Sequence, residues 1–213
     1  KNTALPLVDQ YRELLAAKRQ VLHTRQWGAG AHLRNAQTIA HKSVNISVDH
    51  KTGMLLHNLV KHYQPDVVIE LGTAFGISAT YMAAGNPHSR IITVEGNPKL
   101  FELSKTHFNH SKLFNIHPVQ ANFDEILDEL GNKTTKKSMV FIDGNHTQEA
   151  TLRYCKHFRN KARIIVFDDI MWSDGMMKAW KTIFKSEKGI KIDLFRTGLL
   201  FPLEENQSCA MWY

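Results

Sequence analysis

Asp143, His146, Asp168 and Asp169 are the residues of this 213-residue chain whose types and spacing point most directly to chemistry. Asp143 follows a short apolar run at 139–142, and the Asp168-Asp169 pair follows another at 164–167. If those runs are neighbouring parallel strands, the three carboxylates converge at one sheet edge, where open α/β sheets bind ligands. Like charges so placed need a cation, a hydrogen-bond network or a raised pKa. An oxygen-only set of Asp143, Asp168 and Asp169, with no cysteine nearby, suits Mg²⁺, Ca²⁺ or Mn²⁺. Such an ion could lower the pKa of a bound hydroxyl. The alternative is that Asp168 or Asp169 caps the following turn. His146 stands just past a strand end and could act as a general base; a hydrogen-bonded loop histidine is the other reading.

A second constellation lies upstream. Val67 to Leu71 is an apolar run carrying Glu70, it enters the turn Gly72-Thr73-Ala74-Phe75-Gly76, and a later run, 91–95, ends in Glu95. This is the front half of a nucleotide-binding α/β unit, in which the acid meets a ribose edge. The dinucleotide pattern needs a middle glycine so that backbone can approach a pyrophosphate. Here the glycines read G-x-x-x-G, so the expected ligand has an adenosine and no pyrophosphate, as S-adenosylmethionine (SAM) does. Glu95 could equally be an acid stabilised by the dipole of the helix beginning at Pro98. Asn122 could bond an adenine amino group, cap the next helix, or do both. Asp143 could take the amino group at the methionine end of such a ligand.

The elements that must position these residues follow from periodicity. The spacing predicts an amphipathic helix over 7–22, a flexible Trp27-Gly28-Ala29-Gly30-Ala31 segment, and a helix around Leu55 to Val60 capped by Asp49. From Asp66 onward, apolar runs at 67–71, 91–95, 116–120, 139–142 and 164–167 read as buried strands. Helices near 77–85, 98–110, 123–130, 147–158 and 174–186 separate them, which predicts a parallel sheet covered on both faces. Ile190 to Phe201 and Ser208 to Tyr213 read as two further strands joined by a loop, hence antiparallel. His107 and His110 lie three apart on a helix without a third ligand, so they read as surface histidines. Trp172 and the aromatic positions after it are mostly core by spacing, although Trp172, beside the aspartates, could reach a substrate ring.

Composition excludes several classes. The length suits one well-buried domain. No apolar run reaches the roughly 20 residues of a membrane span, so no membrane is expected. Cys155 and Cys209 are too few for a disulfide framework and favour a reducing, cytoplasmic setting. The chain starts at Lys1 without a signal pattern, and something upstream of it is expected to have been trimmed. The net charge of +7 raises a nucleic-acid partner, but Lys and Arg are dispersed and read first as solvated faces. A basic rim that steers an anionic substrate is the sharper alternative.

These residues together resemble the class I SAM-dependent methyltransferases, from about Asp66 to Tyr213. The pattern is most similar to small-molecule O-methyltransferases of the catechol and caffeoyl-CoA type and to functionally unassigned bacterial relatives. The E-L-G-T-x-x-G turn resembles their first cofactor motif, Glu95 their ribose acid, and F-I-D at 141–143 a strand end whose Asp is a metal ligand. F-D-D at 167–169 departs from their Asp-Asn. The relatives share the Gly-Ala-Gly at 28–30 and the Asp-Asp-Ile-x-Trp at 168–172.

The resemblance implies a Rossmann-like α/β fold: a mostly parallel seven-stranded sheet with helices on both faces and an antiparallel C-terminal strand. Residues 1–60 would form a helical cover on a core of 61–213, within one domain. Glu70, Gly72, Thr73, Gly76 and Ser78 would hold SAM, with Glu95, Gly96, Asn122 and Asp143. Asp143, His146 and Asp168 would be catalytic, and Asp143, Asp168 and Asp169 would bind Mg²⁺ or another divalent cation. The acceptor would be a small molecule, methylated on oxygen, and the protein a homodimer. A nucleic-acid methyltransferase usually shows Pro-Pro-aromatic where this chain has Asp143-Gly144-Asn145-His146. A nicotinamide oxidoreductase or a non-catalytic scaffold are the remaining rivals.

Overall fold

The computed structural model describes residues 5–25 and 34–203. Its centre is a seven-stranded sheet built from β3 (Val67–Leu71), β4 (Arg90–Glu95), β5 (Ile116–Gln120), β6 (Ser138–Ile142), β7 (Ile164–Phe167), β8 (Gly189–Leu194) and β9 (Thr197–Pro202). The order across the sheet is β5-β4-β3-β6-β7-β9-β8. The first five run parallel, and β9 and β8 close the sheet antiparallel. β3, β6 and β7 are almost wholly buried, which is why they read as continuous apolar runs. Alternate residues point to opposite faces, so Val68, Met139 and Val166 enter one core while Ile69, Val140 and Ile165 enter the other.

The crossover helices fall where the periodicity places them: α4 (Ile77–Gly85), α5 (Pro98–Ser111), α6 (Phe123–Lys133), α7 (Gln148–Phe158) and α8 (Asp174–Ser186). α4 is buried along nearly its whole length because α3 (His50–Tyr63) packs over it. Asp49 caps α3 as its sequence position suggests, accepting the Thr52 amide at 2.7 Å.

Three N-terminal and C-terminal expectations change. The first helix, α1, is Leu5–Ala17 and does not reach Leu22, which lies in β1 (Val21–Arg25). β1 pairs antiparallel with β2 (Arg34–Thr38), so the N-terminal segment includes a hairpin and a short helix, α2 (Ile39–Ile46), capped by Thr38. Leu22 keeps helical spacing from Lys18, but pairing with β2 satisfies its backbone instead. The run from Ile190 to Phe201 is not one strand but the β8–β9 hairpin. Its turn forms at Phe195, with φ +69°, where Asp193 Oδ1 accepts the Phe195 amide at 2.8 Å. The expected strand at 208–213 and the flexible segment at 27–31 lie outside the described residues. Among the described residues no helix is long and apolar enough to cross a membrane.

Candidate active site

The turn after β3 is held by two close approaches. Gly72 has φ +112°, and a Cβ there would stand 2.2 Å from the Asp143 carbonyl oxygen. Gly76 has φ +82° and opens α4; a Cβ there would stand 2.5 Å from the Phe108 ring. Both positions require glycine for conformation and for space. Between them the Gly72 and Thr73 amides donate to the Val94 carbonyl, which ties the turn to the end of β4. The N-terminus of α4 carries no side-chain cap. It faces a recess lined by Thr73, Ala74, Ser78 and Asp143 on one side and by Ser47 and Val48 of the α2–α3 loop on the other. Unpaired helix N–H groups attract negative or lone-pair groups of a ligand.

Glu70 is fully buried beneath this turn. Its Oε2 accepts the Thr93 hydroxyl at 2.5 Å, so the Thr73 hydroxyl, 2.5 Å from Thr93, must be the donor of that pair. Glu70 Oε1 has no hydrogen-bond partner. Burial pushes the carboxyl up to about 7, against the pull of the Ser78 and Thr93 hydroxyls and with a further push from Glu95. Glu70 does not itself line the recess; Ser78, whose hydroxyl pulls on the Glu70 carboxyl, does.

Glu95 bridges two turns. Its Oε2 accepts the Ala74 amide at 2.9 Å and its Oε1 accepts the Asn97 amide at 2.7 Å, immediately before α5. A carboxylate oxygen can accept two hydrogen bonds, so anchoring loops and accepting ribose hydroxyls are chemically compatible roles for such a group. A Cβ at Gly96 would meet only the Ala121 carbonyl, at 3.6 Å, so packing does not demand glycine there. Asn122 is the N-cap of α6, with its Oδ1 accepting the Asp124 amide at 3.1 Å.

The strand-end acids do converge. Asp143 receives burial first, then the charges of Asp168, Asp169 and Glu70, and all of these raise its carboxyl well above the usual range; Arg196 opposes them. Burial and Asp169 likewise raise Asp168, again against Arg196. His146 Nε2 lies 3.7 Å from Asp143 Oδ1, and the imidazole stacks on the half-exposed Trp172 with ring centroids 5.7 Å apart. Burial, helped by the Arg196 charge, lowers the His146 pKa despite the nearby Asp169 and Asp168, which favours the neutral ring.

Ligand atoms of Asp143, His146 and Asp169 lie within 4.8 Å of one another. Asp168 is not in that group. Its Oδ1 accepts the Thr197 hydroxyl at 3.2 Å and its Oδ2 accepts Arg196 Nη2 at 3.3 Å. Arg196 Nε forms an ion pair with Asp169 Oδ1 at 3.2 Å. The set Asp143, Asp168 and Asp169 therefore does not fit a divalent ion while Arg196 is in place, because both oxygens of Asp168 and one of Asp169 are engaged. Arg196 was not legible as a site residue, since it reaches the acids only through the hairpin turn.

Outside this edge, His107 is buried and not at the surface. It stacks on Tyr11 with centroids 3.3 Å apart and contacts the hydroxyls of Thr80 and Ser111. Burial, then the His110 charge, pull its pKa down to about 4. It joins α1 to α4 and α5.

Comparison with known proteins agrees with this fold. A family model described as a methyltransferase domain matches residues 69–170. Cofactor-bound Rv0187 from MTB is 19% identical with a TM-score of 0.66, and the match covers 94% of this chain and 90% of that one. An O-methyltransferase from Bacillus cereus in complex with SAH is 18% identical with a TM-score of 0.60, covering 75% of this chain and 84% of that one. The O-methyltransferase TomG from Streptomyces achromogenes, in complex with SAM, is 19% identical with a TM-score of 0.62, covering 76% and 86%. The match to the methyltransferase-domain model runs from within β3 to just past β7, and the seven-stranded sheet shares the fold of these O-methyltransferases.

Proposed function

We propose that this protein transfers the methyl group of SAM to a hydroxyl oxygen of a small-molecule acceptor, with His146 as the general base. The observation that carries this reading is an imidazole within 3.7 Å of Asp143, on the same strand-end edge as the Gly72–Gly76 turn. SAM supplies an electrophilic methyl on a sulfonium. Gly72 and Thr73 would hold it at the turn, Asp143 would face its amine, and Glu95 its ribose, with Ser78, Gly96 and Asn122 further along the same edge.

The remaining work falls to the chain's own groups. A neutral His146 can take the acceptor's hydroxyl proton at Nε2, and Asp143 can hold the resulting imidazolium. Trp172 offers a face against which an acceptor ring can lie. Alignment and exclusion of water supply the rest of the acceleration. Ser47 and Val48 line the recess, and Arg12 Nη2 donates to the Val48 carbonyl at 2.6 Å, which supports a covering role for residues 1–60. Oxygen as the methylated atom is supported by the similar O-methyltransferases named above. Cys155 is a buried free thiol, consistent with a reducing, cytoplasmic setting.

The test is transfer of labelled methyl from SAM to a panel of phenols and aliphatic alcohols, with the matching amines as controls. Label on alcohols or phenols that His146→Ala abolishes supports the reading. Label on amines alone would remove oxygen as the target.

A further inference from the structure

Arg196 is a cation set among acids by the fold. Phe195, at φ +69°, turns the chain between β8 and β9, and the Arg196 amide then donates to the Leu194 carbonyl at 2.8 Å. The Arg196 carbonyl accepts the Ile170 amide at 2.9 Å, so the hairpin tip is stitched to the loop that carries Asp168 and Asp169. From that tether the side chain reaches both acids. Nη2 meets the fully buried Asp168 at 3.3 Å, and Nε meets Asp169 at 3.2 Å. Among the described residues, Arg196 is the cation paired with both.

A divalent ion at this edge would need carboxylate oxygens at about 2.0 to 2.6 Å. Asp169 Oδ1 is already shared with the guanidinium, and Asp168 is closed by Arg196 and by Thr197. An ion placed among Asp143, His146 and Asp169 would also sit beside the positive charge of the guanidinium, which pairs with Asp169 at 3.2 Å. The guanidinium cannot lose its charge to make room.

We propose that Arg196 is the resident cation of this site: its guanidinium compensates the strand-end acids and keeps a divalent ion out. Arg196 then acts as a positioning residue, because it holds Asp168 and Asp169 in the arrangement that surrounds His146. The inference rests on the methyl-transfer reading only for the importance of the edge. Its test needs neither acceptor nor turnover, so the two can fail separately.

The test is Mn²⁺ binding to the whole protein, followed by electron paramagnetic resonance of the free ion and by calorimetry. The wild type should show no saturable binding below millimolar Mn²⁺. Arg196→Met should bind Mn²⁺ at least tenfold more tightly, Arg196→Lys should still exclude it, and adding Asp169→Asn to Arg196→Met should abolish the gain. If Arg196→Met does not fold, Arg196→Gln, which keeps a donor for Asp168, carries the comparison. Saturable micromolar binding by the wild type overturns the proposal, as does a charge-removing variant that gains nothing.

Discussion

The Asp143 carbonyl oxygen stands 2.2 Å from where a Cβ on Gly72 would be, so the Gly72–Gly76 turn packs directly against the strand end bearing the acid cluster. Gly72→Ala would face both that clash and a φ of +112°. We expect a loss of about 3 kcal/mol or more in stability, read by urea unfolding. A variant as stable as wild type would mean that the two loops separate freely.

Glu70 gives a pH signature. Its folded pKa of about 7 lies above its ordinary 4.5, so without ligand its contribution is full below 4.5 and is lost as pH rises through 7. The loss approaches about 3 kcal/mol. Glu70→Gln cannot ionise, so the variant should gain stability over wild type across that window. A stability difference that does not change between pH 4.5 and 8 would contradict the raised pKa.

His107 runs the opposite way. Its folded pKa of about 4 lies below its ordinary 6.5, so the buried neutral ring stabilises the fold above 6.5 and that stability is lost as pH falls toward 4. The loss is at most about 3 kcal/mol. His107→Gln should flatten the acid limb of the wild-type stability curve. An unchanged acid limb would place its origin elsewhere.

The parallel half of the sheet was legible because its strands are buried on both faces and read as unbroken Val, Ile and Phe runs. The convergence of Asp143, Asp168 and Asp169 was legible because each follows the end of a neighbouring parallel strand; that Arg196 and Thr197 engage Asp168 was not. The β1–β2 hairpin was not, because Val21 to Arg25 has neither an apolar alternation nor a turn signal strong enough to break the helical spacing from Lys18. Arg196 was hidden for a different reason: it meets Asp168 across 28 residues of chain, and only the antiparallel β9 brings them together. The Asp193 side chain that closes the hairpin turn was the signal that could have divided the run at 190–201.

His146 should carry the acceptor's proton. Because burial lowers its pKa below the ordinary 6.5, activity should persist into mildly acidic pH and fall only as the ring protonates. His146→Ala should lower kcat by about 10²- to 10⁴-fold, with a smaller effect on the KM for SAM. A full-rate variant with an unchanged pH profile would assign the proton to another group.

The most direct measurement is calorimetry of SAM and S-adenosylhomocysteine binding to wild type and to Glu95→Ala, with folding of both checked by circular dichroism. The account predicts micromolar binding by wild type, about −8 kcal/mol, and a large loss in the variant. No binding by folded wild-type protein would contradict it.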